Sequence, residues 1–522
     1  MIDAADAWQE VAAFLATPKA YDLPGPVQMI DTSISRVFLA DAYAYKIKKP
    51  VKLGFLDFST PALRQADCER EIILNRRTAP TVYLDVCAVT READASLALA
   101  GKGEAVEWAV RMRRFDSAML LDQMAVDGTL TDSLIARLAR NIAAFHAAIA
   151  PEPDAGGAQA FHRNLLSNDS EYRNFSGNVF LPGAIDGLRD ASFAALAMHA
   201  ALMDSRKAAG WVRHCHGDLH LGNIFCMDGE PTPFDCITFS DTIAKIDILY
   251  DLAFLLMDLS RRGLGALANH CLNQYVAHLS PDSADACAGG LALLPLFLSC
   301  RAGIRAFVMA RTSLSHSDNA RLISQAHDYF SLAQTFLRPA PPQLIAVGGF
   351  SGSGKSVLAR ALAPDIGAAP GALILRSDEI RKQLAGAPLL QPLPQSAYTQ
   401  QNSEKVYDCI LRRARTGLQA GHSVIADAVY AREGERAAIA ALAQSLGVPF
   451  HGLWLDAPPE VLASRVAARK DDASDASAAI VRQQLEYDTG RIGWACIGAG
   501  GTPQETCANA KSFLAGRSEP AT

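Results

Sequence analysis

The feature that most constrains this chain is an eight-residue loop, Gly349-Phe350-Ser351-Gly352-Ser353-Gly354-Lys355-Ser356. It fits the pattern G-x-x-x-x-G-K-[ST] at every fixed position, and it lies between an apolar run, 344–347, and a helix-like segment, 357–362. In that context the glycines let backbone N–H groups turn towards a phosphate chain, and the helix N-terminus adds a positive dipole. The loop therefore predicts a nucleotide site, formed by Gly349, Ser351, Gly352, Ser353, Gly354, Lys355 and Ser356.

Three polar side chains of this region predict how ATP and Mg²⁺ would bind. Lys355 is expected to reach the β- and γ-phosphates, and the Ser356 hydroxyl is expected to bind Mg²⁺. Asp427 follows the apolar strand-like run 423–426. A P-loop enzyme places a carboxylate there to hold Mg²⁺ through water, although an aspartate can also simply end a strand in a turn.

Two further elements predict an acceptor side. Asp378 begins a helix-like segment and Arg381 lies one turn later. Asp378 can be a helix N-cap, or it can take a proton from an acceptor hydroxyl while Arg381 holds an anionic part of the acceptor. Arg465 and Arg469 are four residues apart and share a helix face, either as a solvated basic stripe or as arginines that neutralise the transferring phosphoryl group.

This half of the chain, from about 343 to 490, resembles the small P-loop kinases related to phage polynucleotide kinases, gluconate kinases and zeta-type toxin kinases. The resemblance rests on the P-loop, the Ser377-Asp378-x-x-Arg381 element, Asp427 and the helix with Arg465 and Arg469. In those relatives the matching aspartate activates the acceptor hydroxyl, which implies a catalytic role for Asp378. Their acceptors differ from one another, so the resemblance implies no particular acceptor.

The order of segments predicts two domains. At 522 residues the chain is too long for a single hydrophobic core. The run Arg338-Pro339-Ala340-Pro341-Pro342-Gln343 cannot continue a helix and predicts a stiff spacer, which gives domains of 1–338 and 339–522. After the spacer, strand-like and helix-like segments alternate, and this pattern predicts a parallel sheet covered by helices on both faces. Before it, a small β-rich lobe precedes a large helical lobe.

The second informative stretch is His214-Cys215-His216-Gly217-Asp218-Leu219-His220-Leu221-Gly222-Asn223. Its histidines and cysteine do not follow a zinc-ligand spacing, and no later pair completes a tetrahedral set. His216-x-Asp218 with Asn223 five residues later is instead the arrangement of a protein-kinase catalytic loop. In such a loop the aspartate receives the acceptor proton and the asparagine binds Mg²⁺.

The other parts of a kinase site follow in the required order. Asp235 lies a short strand after Asn223, where a second Mg²⁺ ligand belongs. Lys46, on an early strand, can pair with the phosphates, and Glu71 on the next helix can hold that lysine in place. Lys48 competes with Lys46 for this role because residues two apart on a strand point to the same face.

Residues from about 27 to 260 resemble the aminoglycoside phosphotransferase family, which has the protein-kinase fold. The resemblance implies Asp218 as catalytic base and Asn223 and Asp235 as magnesium ligands, and Asp247 and Asp251 fit an acidic pattern of that family. Two departures argue against aminoglycosides as acceptors: the segment Asp31–Ser35 replaces a glycine-rich loop, and the chain continues into a second domain. The combination resembles bacterial proteins described as bifunctional aminoglycoside phosphotransferase and ATP-binding proteins.

The bulk composition bounds the partners. A net charge of −6 does not favour nucleic acid as a partner, and charges interrupt the most apolar stretches, such as 252–259, before the length of a membrane span. The N-terminus lacks a signal-peptide pattern, and the eleven cysteines form no C-x-x-C pair, so a cytoplasmic protein is expected. The predicted function is ATP-dependent phosphoryl transfer to small hydroxyl-bearing acceptors. The alternatives are a nucleotide sensor, an ATPase that couples hydrolysis to motion, or a kinase of nucleic-acid ends or nucleotide sugars in the C-terminal half.

Overall fold

The computed structural model describes residues 4–53, 56–314, 318–468 and 472–516. The chain divides into two compact units. The first unit comprises Met1–Leu134, Ala148–Gly156 and Gly210–Asp251, and the second comprises Ile135–Ala147, Gly157–Ala209 and Leu252–Thr522. The boundary at residue 338 that the proline run predicts is a division by chain order rather than by compactness, and it stays a prediction.

The strands and helices of the described residues are as follows. The strands are β1 (Gln28–Asp31), β2 (Ser35–Ala40), β3 (Tyr43–Lys48), β4 (Lys52–Leu53), β5 (Leu56–Asp57), β6 (Tyr83–Arg91), β7 (Leu97–Leu99), β8 (Glu104–Arg113), β9 (Val212–His214), β10 (Ile224–Met227), β11 (Glu230–Pro233), β12 (Lys245–Asp247), β13 (Leu344–Gly348), β14 (Leu373–Arg376), β15 (Val424–Asp427), β16 (Phe450–Asp456) and β17 (Ala495–Gly498). The helices are α1 (Ala4–Leu15), α2 (Pro61–Asn75), α3 (Leu121–Val126), α4 (Asp132–Ala148), α5 (Gly157–Arg173), α6 (Pro182–Ala208), α7 (Asp241–Ala244), α8 (Ile248–Arg261), α9 (Gly265–Ala277), α10 (Pro281–Gly290), α11 (Leu294–Ser313), α12 (Asn319–Phe336), α13 (Lys355–Leu362), α14 (Ser377–Leu384), α15 (Gln400–Gln419), α16 (Glu433–Leu446), α17 (Pro459–Ala467), α18 (Ala478–Leu485) and α19 (Pro503–Ala515).

The first unit is built on an antiparallel sheet in the order β1-β2-β3-β8-β6-β7. Alternation along β3 sends successive side chains to opposite faces. Tyr45 and Ile47 pack with α1 on one face, whereas Ala44 packs with Cys68 and Ile72 of α2 on the other. Lys46 and Lys48 alternate with the residues that face α1, so both lysines point towards α2.

Two short antiparallel pairs complete the first unit. The hairpin β10–β11 pairs Ile224 with Pro233, which brings the residues just before β10 close to those just after β11. Strand β12 pairs with β9, and this pairing places the end of α7 beside the segment that follows His214, where the Cys215 N–H donates to the Ala244 carbonyl at 2.9 Å. The sequence motif between β9 and β10 is therefore held at both ends by strand pairing.

The C-terminal part of the second unit contains a five-stranded parallel sheet in the order β14-β15-β13-β16-β17. One face packs against α13 and α19, through Ile345, Val347 and Ile425 of the strands and Leu358 and Leu362 of α13. Helix α15 contacts β14 and β15, and helix α16 contacts β16. The prediction of a parallel sheet flanked by helices is confirmed. Strand β17 and helix α19 lie beyond residue 490, outside the part of the chain that the resemblance to P-loop kinases covers.

Helices make up the rest of the second unit. The stretch Pro281–Ser313 is long and apolar enough to cross a membrane by length and composition alone, yet 67% of its most apolar window is buried inside the protein. A core helix of a globular protein has the same properties. This stretch is therefore weak evidence for a membrane span in the described chain.

A buried ion pair between α2 and β8 gives a test of how the first unit is stabilised. Arg64 donates from Nη2 to Glu107 at 2.6 Å and from Nη1 to the Phe58 carbonyl at 2.8 Å, and both charged side chains are almost wholly buried. We expect Arg64→Met to lower the free energy of unfolding by about 3–5 kcal/mol, because Glu107 is left buried without its counter-charge. Urea denaturation measures this loss.

The double variant Arg64→Met/Glu107→Leu is the matched control for this prediction. Apolar replacement of both partners of a buried pair is often close to neutral, so the double variant should recover most of the stability. A double variant as unstable as Arg64→Met alone would contradict the explanation by an unpaired charge.

Candidate active sites

The site in the first unit is organised around Lys46. Its Nζ donates to Glu71 Oε1 at 2.9 Å and to Asp235 Oδ1 at 2.6 Å. Burial alone would lower the pKa of Lys46, but Asp235 and Glu71 outweigh it and hold that pKa above its ordinary value. Lys46 is therefore charged, and it joins the residues that the sequence placed on β3, on α2 and after β11.

Lys48 has a different environment from Lys46, although both point to the same face. Lys48 is 2% exposed, and its Nζ pairs with Asp67 Oδ2 at 2.7 Å and with Glu71 Oε2. Lys46 is 12% exposed and is the lysine that contacts Asp235, whose side chain is 45% exposed. The lysine that lies next to the predicted metal ligand is therefore Lys46, whereas Lys48 is enclosed by two carboxylates.

The loop with Asp218 is held by hydrogen bonds at several points. Asn223 Nδ2 donates to Asp218 Oδ2 at 2.8 Å and to the Asp218 carbonyl at 3.0 Å. The backbone N–H groups of His216 and Gly217 both donate to the buried carboxylate of Asp251, at 3.1 and 2.8 Å. Asp251 thus fixes the start of the loop, and Asn223 fixes the orientation of the Asp218 carboxylate.

The backbone at Asp235 adopts a left-handed conformation, with φ of 57°. Few residues other than glycine adopt this conformation, but aspartate is one of those that do. Its N–H donates to the Tyr83 hydroxyl at 3.1 Å, and the next N–H, of Cys236, donates to Asn75 Oδ1 at 2.9 Å. The His216 imidazole contacts the Phe234 carbonyl at 2.9 Å, so the loop of Asp218 is tied directly to the residue that precedes Asp235.

The nucleotide loop in the second unit has the geometry that its glycines predict. Gly349, Gly352 and Gly354 have φ of 136°, 87° and 94°, which favour glycine. A Cβ at Gly352 would lie 2.4 Å from the Leu462 carbonyl oxygen, so that position also lacks the space for a side chain. Helix α13 begins at Lys355, so the last two residues of the loop already form the first turn of the helix.

The carboxyl ends of three adjacent strands bring the predicted residues of the P-loop half together. The loop follows β13, Asp427 ends β15 and Asp378 follows β14, in the sheet order β14-β15-β13. Ligands bind at this edge of open parallel sheets. Asp427 is buried, and its Oδ2 has no hydrogen-bond partner within the described residues. Burial raises the pKa of Asp427, and Arg376, Lys355 and Ser356 oppose that rise.

Arg376 was not predicted from the sequence, and it lies at the centre of this edge. Its guanidinium contacts Asp472 at 2.5 Å, Glu379 at 3.8 Å, and Asp378 and Asp427 at 3.9 Å each. One cation therefore faces four carboxylates. An arginine that ends a strand is often solvated, so no sequence pattern indicated this arrangement.

The three arginines predicted on the acceptor side have different outcomes. Arg381 donates to the Ala397 carbonyl at 2.9 Å and lies over the Tyr398 ring, 4.9 Å from its centre. Arg465 donates to the carbonyls of Ala499 and Gly501, at 2.7 and 2.6 Å, which gives it a structural contact in the described chain. Arg469 lies outside the described residues.

Gln484 is a second residue that sequence reasoning missed. It extends from α18, and its Oε1 accepts the Ser351 N–H of the nucleotide loop at 2.7 Å. A glutamine on an amphipathic helix is usually solvated, and it is 133 residues distant in sequence, so no local pattern could have linked it to the loop.

Comparison with known proteins agrees with this division of sites. Residues 56–285 match the phosphotransferase enzyme family (APH), and residues 344–488 match a family described as an AAA domain (AAA_33). The chain is 31% identical over 480 residues to the uncharacterised protein Rv2004c of Mycobacterium tuberculosis, which covers 89% of this chain and 91% of that protein. It is 32% identical over 117 residues to the adenylyl-sulfate kinase of Myxococcus xanthus, over 22% of this chain and 59% of that enzyme.

The chain therefore belongs to the same family as this mycobacterial protein. Its two segments are those of an aminoglycoside phosphotransferase-type kinase and of a P-loop kinase, so the protein is a phosphotransferase with two kinase-type domains. A solved choline/ethanolamine kinase family protein from Mesorhizobium loti superposes with a TM-score of 0.36 at 14% identity, over 64% of this chain and 99% of that chain. That TM-score supports no inference about the acceptor.

The two lysines of β3 should differ in what they contribute. Lys48→Met should lower the free energy of unfolding of the first unit by about 3–5 kcal/mol, because Asp67 and Glu71 lose a buried counter-charge. Lys46→Met should have a smaller effect on stability, because its partner Asp235 is partly exposed, but it should weaken ATP binding. Thermal unfolding and titration with ATP and Mg²⁺ separate the two effects. If Lys48→Met instead weakens ATP binding while Lys46→Met mainly lowers stability, Lys48 is the lysine that binds the phosphates.

Glu379 gives a pH prediction for the second unit. Burial, opposed by Arg376 and reinforced by Asp427, raises the pKa of Glu379 to about 6 from an ordinary value of 4.5. The folded protein therefore binds this proton more tightly than the unfolded chain does. The stabilisation is complete below pH 4.5 and is lost as the pH rises through 6.

We expect Glu379→Gln, which keeps a neutral side chain at every pH, to raise the free energy of unfolding by up to about 2 kcal/mol above pH 7 and to have little effect below pH 4.5. Denaturant unfolding at a series of pH values measures the difference from wild type. Glu404→Gln, at an exposed position of α15, is the control and should show no such pH dependence. An equal gain at both ends of the pH range would contradict the assignment.

Proposed function

We propose that each half of the chain transfers the γ-phosphate of ATP, with Mg²⁺, to a hydroxyl group of a small-molecule acceptor. The observation that supports this most directly is the same in both halves: a lysine, an acid suited to proton acceptance and a carboxylate suited to Mg²⁺ meet at one place. Proteins of these kinase families use ATP with Mg²⁺. Phosphoryl transfer needs mainly positioning and charge neutralisation, which such a set of residues can supply.

In the N-terminal half the proposed roles follow from the contacts around Lys46 and Asp218. Lys46, held by Glu71, binds the phosphates, and Asp235 and Asn223 hold magnesium. Asp218 takes the proton of the acceptor hydroxyl, since Asn223 and the backbone bonds of the loop fix its carboxylate. Bound Mg²⁺ would neutralise the charge that develops on the phosphoryl oxygens.

In the C-terminal half the nucleotide loop and the neighbouring strand ends divide the roles. Gly349, Ser351, Gly352, Ser353 and Gly354 form the loop around the phosphates, Lys355 neutralises them, and Ser356 and Asp427 hold magnesium. The buried Oδ2 of Asp427, without a hydrogen-bond partner among the described residues, fits a divalent cation. The remaining proposed roles are proton acceptance by Asp378, acceptor binding by Arg381 and phosphoryl neutralisation by Arg469.

The setting that we propose is a cytoplasmic protein of two domains, 1–338 and 339–522, whose acceptors are small molecules. No disulfide joins any of the eleven cysteines, which suits a reducing compartment. The net charge of −6 makes nucleic acid a less suitable partner.

The test follows ATP consumption in wild type, Asp218→Asn and Lys355→Ala, with and without a panel of aminoglycosides, sugars, nucleosides and oligonucleotide ends. Each variant should lower the turnover that is stimulated by the acceptor of its own half by at least about 10²-fold and leave the other half active. Loss of a general base, or of the positive charge beside the phosphates, has effects of that size. Asp186→Asn and Lys511→Ala, which remove charges of surface ion pairs, are the matched controls.

The outcomes separate the proposal from its competitors. Stimulation by one acceptor that is lost in only one variant assigns that acceptor to one half. Turnover that ignores every acceptor but still needs Lys355 would favour an ATPase or a nucleotide sensor over a pair of kinases. Stimulation by oligonucleotide ends that falls steeply with salt would replace the small-molecule acceptor of the C-terminal half by a nucleic acid.

A further inference from the structure

The two family segments are joined by a buried polar contact at the edge of the parallel sheet. Strand β14 is an edge strand, and its backbone faces α9, which lies within the segment of the phosphotransferase family. Asn273 Oδ1 accepts the Ile374 N–H at 2.7 Å, and Asn273 Nδ2 donates to the Ala372 carbonyl at 3.2 Å. Asn269 Nδ2 donates to the same carbonyl at 3.0 Å.

These bonds give the edge strand what a sixth parallel strand would give it. In a parallel ladder, one residue donates to the carbonyl before its neighbour and accepts from the N–H after it. The Asn273 side-chain amide does both around Leu373. Exposed edges pair readily with other chains, and covering them is a known protection. Helix α9 therefore completes the sheet of the P-loop half.

The helix of the proposed acceptor side is anchored to the same region. Gln383, on α14, donates to the carbonyls of Val276, Ala277 and Leu279, at 2.9, 3.0 and 3.2 Å. Val276 and Ala277 are the last two residues of α9 and Leu279 follows its C-terminus, where carbonyls lack the partners of a helix interior. Gln383 is buried, so the contact excludes water and caps α9 from the other family segment.

A second buried residue holds Gln383 in place. Arg413, on α15, donates to Gln383 Oε1 at 2.6 Å and to Asp285 Oδ1 at 2.5 Å. Asp285 lies on α10 and is the last residue that matches the phosphotransferase family. The contact of Asn269 with the Ala372 carbonyl depends on the glycine at residue 371, because a Cβ at Gly371 would lie 2.9 Å from Asn269 Nδ2 and closer still to backbone atoms.

We propose that α9 and α10 form a fixed wall of the P-loop kinase and that Gln383 is a positioning residue, which holds α14 and with it Asp378 and Arg381 at the acceptor side. The nucleotide loop, Lys355 and Asp427 follow other strands of the sheet and do not depend on this contact. The P-loop half therefore completes its acceptor site only with a part of the phosphotransferase-family segment. This inference rests on the proposed function of Asp378 and Arg381.

The test uses the full-length variant Gln383→Met, which keeps the side-chain volume and removes the hydrogen bonds. Hydrogen exchange of the peptides that cover α14 should accelerate at least about tenfold, whereas exchange in α13 should not change. The affinity for ADP with Mg²⁺, measured by titration, should stay within about twofold of wild type. ATP turnover that depends on Lys355 should fall about tenfold or more, with the KM for ATP unchanged.

Arg412→Gln is the matched control. Arg412 is 55% exposed and pairs with the same Asp285 at the rim, without a bond to Gln383 in the described structure. It should leave exchange, affinity and turnover unchanged. If Gln383→Met does not fold, Arg413→Lys, which keeps the charge beside Asp285 and loses the bond to Gln383, should show the same pattern in weaker form.

Three results would overturn the proposal or its basis. Unchanged exchange in α14 would show that Gln383 does not anchor this helix. Faster exchange with unchanged turnover would make the contact purely structural. An equal loss of ADP affinity and turnover would mean that the nucleotide loop depends on the wall as well. If wild type has no Lys355-dependent turnover, the proposed function fails, while the exchange experiment still decides the anchoring.

Discussion

The cost of burying a charge is the constraint on which both candidate sites depend. A carboxylate withdrawn from water is stable only beside a counter-charge or hydrogen-bond donors. In the first unit, Glu71 is shared between Lys46 and Lys48, so one acid aligns the lysine at the site and another lysine behind it. In the P-loop half carboxylates outnumber the cations beside them. Arg376 contacts four carboxylates, and Lys355 and Arg360 add positive charge near Asp427 and Glu379. That excess of negative charge suits a place where a divalent cation is proposed to bind.

The distribution of this charge explains which residues the sequence revealed. The P-loop in the second unit, and Asp218, Asn223 and Asp235 in the first, lie in short motifs whose spacing reflects local backbone geometry. Each of these two sets could therefore be predicted, and so could the parallel sheet. Lys46 and Lys48 could not be distinguished, because alternation gives only the face of a strand. Their difference arises from Asp67, which lies one turn before Glu71 on α2 and pairs with Lys48 alone. The local sequence places Lys46 and Lys48 on the same strand, but the burial of each lysine depends on residues of another element.

Arg376, Gln484 and Gln383 are of residue types that are usually solvated. Gln484 and Gln383 act through partners that are far away in sequence, and Arg376 combines near and distant carboxylates. The segment after residue 490 is different, because β17 is four residues long and its pattern is too short to show a period. Helix α19 did have a local signal, since Thr502 and Glu505 form a capping box with Pro503 at its first position. The start of α19 is therefore predictable from the local sequence.

The way the edge of the parallel sheet is covered bears on why the two segments occur in one chain. If the two family segments were only linked in sequence, the proline run after residue 338 would be sufficient, and the segments would need no buried contact with each other. The amide of Asn273 instead fits the register of β14 to one residue, because it bonds on either side of Leu373. A slip by one residue along the strand would present a different pair of backbone groups and turn Leu373 out of its buried face. Such a contact specifies one arrangement within the second unit, so the phosphotransferase-family segment contributes structure to the P-loop kinase in addition to any reaction of its own.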